Sequence, residues 1–74
     1  MAQTRIKLNK LGTHIRKHRE FLSLTREGLA DKSGVNYNTI VKLESGGNIN
    51  PTIKTLLSLC TVFKLTVDQL LRGQ

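Results

Sequence analysis

Three times along this chain an apolar residue is followed at once by a capping residue, and four positions further on by a second apolar residue. The sets are Leu24, Thr25 and Leu29; Val35, Asn36 and Ile40; and Leu65, Thr66 and Leu70. Each is a helix start. The Thr or Asn oxygen can accept a hydrogen bond from an orphan amide of the first turn. The flanking apolar pair can close as a hydrophobic staple that fixes the entry of the chain. The third set also has Gln69 at the capping-box position. The spacing predicts helices beginning near residues 26, 37 and 67. With three such starts in 74 residues, the chain has room for one small domain, and that domain is all-α.

Two more helices fill the rest. Leu8, Leu11, Ile15 and Leu22 keep a helical spacing, with His18 and Arg19 in the missing turn. This predicts a first helix over about residues 10–22. A fourth helix lies between Pro51 and Phe63. Pro51 suits a first turn, and either Asn50 or Thr52 fits as its cap. Ile53, Leu56, Leu57, Cys60 and Phe63 form an apolar stripe that Leu59 and Val62 widen. This predicts the most buried helix of the five. Gly34, Gly46, Gly47 and Gly73 punctuate the helix ends, and the segment 45–50 reads as a loop. Residues 1–9 read as a basic, flexible arm and 10–72 as the folded domain, a compact five-helix bundle.

Charge narrows the function. Twelve Lys and Arg against five Asp and Glu give a net charge of +7, which points to a polyanionic partner. Residues 1–19 hold six of the bases, Arg5, Lys7, Lys10, Arg16, Lys17 and Arg19, and no acid. The 38% apolar content is too high for a disordered basic tail. No stretch approaches the about 18 apolar residues of a membrane span, and no signal-peptide core follows Met1. A single cysteine cannot form an internal disulfide, so a reducing, cytoplasmic compartment is expected. No carboxylate pair, phosphate-binding glycine loop or nucleophile triad is present, so no catalysis, cofactor or small-molecule ligand is expected. His14 and His18 stand four apart, as metal-binding pairs do, but no third ligand lies near them. Cys60 sits on an apolar stripe and reads as a core residue.

The second and third helices, about 26–33 and 37–45, are joined by Gly34, Val35 and Asn36. Two helices meeting at a tight glycine-containing turn form a helix-turn-helix. Ala30 is small where the third helix crosses, and Leu29, Val35, Ile40 and Leu43 face the shared core. The outward face of the third helix carries Tyr37, Asn38, Val41, Lys42 and Ser45, and no acid. A phenol, an amide, an apolar group and a base suit the donors, acceptors and thymine methyl of a major groove.

The segments LTREGLA, SGV, TIVKLESG, NPTIKTLL and DQLL together resemble the Cro/phage-repressor (Xre) helix-turn-helix family over about residues 11–72. The resemblance implies a five-helix fold like that of the lambda-repressor DNA-binding domain, with the third helix in the major groove. It implies base contacts by Tyr37, Asn38, Val41 and Lys42. Phosphate contacts would come from Thr25, Arg26, Asn36, Ser45, Lys54 and Arg16. It implies a partly buried, structural ion pair between Arg19 and Glu44. It also implies a homodimer on two-fold symmetric double-stranded DNA, with Leu70, Leu71 and exposed apolar atoms of the fourth helix at the dimer surface.

The chain departs from the family pattern at several places. Arg26 replaces a usual glutamine. Gly28 replaces a usual capping-box glutamate, which weakens the second helix by about 1 kcal/mol. Ser23 replaces a usual glycine, which implies a less relaxed turn, and the Gly46–Gly47–Asn48 loop is less basic than many in the family. Two other functions fit the pattern. One is an antitoxin-type or restriction-modification controller protein with an additional protein partner. The other is a helical protein-interaction module without specific DNA binding.

Overall fold

The computed structural model describes residues 10–47 and 50–73. The expected arm over residues 1–9, and Asn48 of the loop, lie outside the described residues. Five helices follow in order: α1 (Leu11–Phe21), α2 (Arg26–Ser33), α3 (Tyr37–Ser45), α4 (Ile53–Phe63) and α5 (Val67–Arg72). The three helices announced by caps begin where the caps predict.

The caps are made. Thr25 accepts from the Gly28 amide, Asn36 from the Asn38 amide and Thr66 from the Gln69 amide. Gln69 answers with its side-chain oxygen on the Thr66 amide, closing the capping box. Gly28 has no side chain with which to answer, so Thr25 caps α2 alone. Thr52 caps α4 by accepting from the Thr55 amide. Pro51 therefore stands just before the cap, not in the first turn. Its fixed φ suits the extended approach to Thr52 as well as it would suit a helix.

The core is formed by Leu11, Ile15, Leu29, Val35, Ile40, Leu43, Leu56, Leu59, Cys60, Phe63 and Leu70. All six staple residues belong to this cluster or pack against it. Two expectations for α4 are corrected. Ile53 is 65% exposed and Leu57 is 52% exposed, so the buried stripe is Leu56, Leu59, Cys60 and Phe63. The apolar face is wider than the core it meets, and two residues four apart remain on its outer edge. Burial pushes the Cys60 thiol up from its ordinary pKa, as expected of a core cysteine. Among the described residues, no helix is long and apolar enough to cross a membrane.

The helices α1 and α3 approach closely. A Cβ on Gly12 would meet the Leu43 carbonyl oxygen, with the Leu43 carbonyl carbon at 2.9 Å and the Glu44 Cα at 3.0 Å. The sequence pattern puts the small residue of a close crossing at Ala30. Ala30 does pack on the core, but Gly12 is where backbone meets backbone.

Candidate nucleic-acid interface

The turn between α2 and α3 decides what α3 presents. Gly34 ends α2 at φ 76°, ψ 6° and donates its amide to Ala30 O at 2.9 Å. This left-handed conformation carries a steric cost for residues with a Cβ, so glycine is favoured here. The chain then re-extends through Val35, which is buried, to the Asn36 cap. The Ser33 hydroxyl accepts from the Val35 amide at 3.1 Å and closes the turn. Ile40 and Leu43 are thereby set inward, and Tyr37, Asn38 and Lys42 outward.

The outward side chains are unencumbered. Tyr37 is 41% exposed, and Asn38 and Lys42 are exposed. None of the three makes a side-chain hydrogen bond to another described residue. Val41 is half-buried at the margin of this face. Ser45 lies at the far end, its hydroxyl donating to Lys42 O at 3.2 Å. The residues named for base contact therefore share one face of one helix.

The residues named for phosphate contact lie on, or at the starts of, α1, α2, α3 and α4. Thr25 and Asn36 are exposed caps at the starts of α2 and α3, and Lys54 is exposed in the first turn of α4. Arg16 is exposed on α1, where its Nε donates to Glu20 at 3.2 Å. Such an exposed pair is worth about 0.3–0.5 kcal/mol and yields easily to a stronger anion.

Beneath this face lies an ion cluster. Arg19 donates through Nε to Glu44 Oε2 at 2.7 Å and through Nη2 to Oε1 at 3.0 Å. Its Nη1 donates to Leu24 O at 2.8 Å. The pair expected between α1 and α3 is thus present, bidentate and nearly out of water, with Glu44 side-chain exposure of 2%. The hydrogen bond to Glu44 raises the Arg19 pKa further, against the opposing effect of desolvation. A third member, not expected from the sequence, joins them. Arg26 Nε also donates to Glu44 Oε1, at 3.1 Å. Its signal is the arginine in place of the family's glutamine, but the acid it meets lies 18 residues away in sequence.

Other expectations are answered by contacts. Leu70 is completely buried within the chain, so it belongs to the core and not to a subunit surface. Its staple with Leu65 draws it inward. Leu71 is half-buried and packs against the core. On α4, Ile53 and Leu57 are exposed apolar residues. His14 and His18 are engaged separately. His14 Nδ1 donates to Leu70 O at 3.0 Å, and the His18 ring lies 5.5 Å from that of Phe63.

Comparison with known proteins agrees with this geometry. A model of the helix-turn-helix family matches residues 15–70. An uncharacterized HTH-type transcriptional regulator from Archaeoglobus fulgidus is 38% identical over 58 residues, covering 78% of this chain and 81% of the relative. The N-terminal DNA-binding domain of SinR from Bacillus subtilis superposes with a TM-score of 0.83 at 27% identity, covering 85% of this chain and 91% of that one. The restriction-modification controller protein C.AhdI from Aeromonas hydrophila superposes with a TM-score of 0.77 at 28% identity, covering 85% and 94%. With its tight α2–α3 turn and a family match over most of its length, the chain belongs to the Cro/C1-type helix-turn-helix family of DNA-binding transcriptional regulators.

Proposed function

We propose that this regulator binds an operator as a homodimer, with α3 lying in the major groove of each half-site. The observation that carries this reading is the outward face of α3, where Tyr37, Asn38 and Lys42 are exposed and uncommitted. Asn38 suits an adenine edge, which shows a donor and an acceptor together. Lys42 suits the acceptors of guanine, and Val41 a thymine methyl. Thr25, Arg26, Asn36, Ser45, Lys54 and Arg16 surround that face and hold the backbone phosphates. The dimer forms through Ile53 and Leu57 with the exposed part of Leu71, which sets the half-sites about one helical turn apart. Bound in this way, the dimer controls access of the transcription machinery to the operator.

Selection of bound sites from a random double-stranded DNA library tests the proposal. A palindromic consensus is the expected outcome, and a single unpaired half-site would remove the dimer from the reading. Ile53→Glu with Leu57→Glu should then yield a monomer by sedimentation and lose the palindrome. No binding to any DNA at low salt would favour a helical protein-interaction module instead.

A controller role is a second reading, supported by the likeness to C.AhdI. An endonuclease gene beside this one would favour it. Co-purification of a second chain would point to the antitoxin type.

A further inference from the structure

The ion cluster under α3 holds two guanidinium groups and one carboxylate. Arg19 uses both oxygens of Glu44 and gives its remaining edge to the Leu24 carbonyl. Arg19 and Glu44 therefore neutralise each other. Arg26 then brings a second positive charge to the same carboxylate, at 3.1 Å, with its side chain 43% exposed. The cluster carries a net charge of about +1 on the side that faces water. Among the described residues, Arg26 is bound only through Nε. Its Nη1 and Nη2 make no bond to another described residue, and together they form the edge of the fork that grips an oxyanion with two parallel bonds.

We infer that Glu44 is a positioning residue for a phosphate clamp, holding Arg26 by Nε so that its two terminal nitrogens meet one DNA phosphate. This rests on the reading of Arg26 as a phosphate contact and adds how that contact is aimed. Glu44 is itself in α3, and Arg26 opens α2. A phosphate gripped by Arg26 is thereby linked through one carboxylate to the helix that reads the bases. The clamp sets the depth and register of α3 as well as adding affinity. Glutamine in this place offers a single amide NH₂ and no charge. Lysine offers one ammonium, which cannot span a carboxylate and a phosphate with the same planar geometry. Arginine is the residue that serves both at once.

Binding isotherms over a range of salt, on the selected site and on random DNA, separate the two claims. Arg26→Ala should lower the salt slope by about one unit. Arg26→Lys should keep the wild-type slope but bind the selected site about tenfold more weakly, as expected for the loss of one charge-assisted bond. An unchanged slope in Arg26→Ala overturns the phosphate contact itself. A lowered slope there, with Arg26→Lys binding as wild type, keeps the phosphate contact and overturns the positioning by Glu44.

A second measurement leaves the chain unaltered. The Arg26 Nε–H signal in a ¹⁵N-correlated NMR spectrum should stay protected from solvent exchange when the selected DNA is added. Loss of that protection on binding would mean that Arg26 abandons Glu44 for the phosphate, which overturns the proposal.

Discussion

The two sides of α3 are built on opposite terms. Its inner side is fixed at every available point. Ile40 and Leu43 are buried, Gly12 of α1 lies directly on the Leu43 carbonyl, and Glu44 is held by Arg19 through two bonds. Its outer side has almost no internal bonds, and Tyr37, Asn38 and Lys42 stand in water. The difference shows how nine residues can both hold a fold and leave a face of polar side chains exposed. Packing on one side fixes the helix axis, so the side chains of the other need no contacts of their own to be correctly aimed. Stability and recognition should then be separable by substitution, and each side should fail in its own measurement.

The largest effect belongs to the inner side. Arg19→Ala leaves the Glu44 carboxylate buried with Arg26 as its remaining cation, and it removes the bond to Leu24 O. Breaking one partner of a buried pair costs about 3–5 kcal/mol. Urea denaturation should show the loss, and a cost below about 1 kcal/mol would mean that Arg26 replaces Arg19. Gly12→Ala comes next. The atoms its Cβ would strike are backbone atoms of Leu43 and Glu44, which cannot turn aside as a side chain does. A loss of about 3 kcal/mol is expected, with α1 and α3 driven apart. A wild-type melting temperature would show that the two helices slide past each other freely.

The outer side should behave in the reverse manner. Lys42→Ala and Asn38→Ala should each cost about 1–3 kcal/mol in binding the selected site and relax the preference at one base position. Their stability should remain within about 0.5 kcal/mol of the wild type. If both variants bind as the wild type does, α3 does not read the groove through this face. If either loses several kcal/mol of stability, the two sides of the helix are not separate.

Much of the inner side was legible in the sequence, because it is written in local signals. A cap followed by an apolar residue four positions on is a short-range pattern, and it located the starts of α2, α3 and α5. The Arg19–Glu44 pair was legible only through family resemblance, since nothing local joins residues 25 apart. Gly12 was missed because a glycine in a helix has no periodicity of its own, and its meaning lies in the backbone that crosses it. The exposure of Ile53 and Leu57 was missed for a related reason. An apolar stripe gives the direction of the core but not its width, so the edge of the stripe is set by what the neighbouring helices cover. Family resemblance alone points Leu70 to a dimer surface, whereas its staple with Leu65 is the local signal that places it in the core. The outer side is harder to read from sequence, since exposed residues obey no packing rule, and the chemistry of Tyr37, Asn38 and Lys42 had to stand in for one.

The smallest expected effect tests whether a change on the route into α2 leaves the outer face untouched. Ser23 lies in the α1–α2 turn at φ 58°, a left-handed conformation without glycine's freedom. Its amide donates to Glu20 O at 2.9 Å, so the turn is held in that conformation. For a residue with a Cβ this backbone costs about 1–2 kcal/mol. Ser23→Gly removes that strain but gives the unfolded chain more freedom, which offsets about 0.4–1 kcal/mol of the gain. The net effect is a stabilisation of about 0.5 kcal/mol, read as a shift in the urea midpoint at constant slope. The side chain is exposed and neutral, so neither the core nor the salt dependence of binding should move. Lys64, at φ 59°, is strained in the same way, but Lys64→Gly also removes a charge and would confuse the binding result. Affinity for the selected site should therefore be unchanged in Ser23→Gly. An altered affinity at equal charge would show that the α1–α2 turn transmits its geometry to α3, and that the inner side sets where the outer one points more sensitively than rigid packing allows.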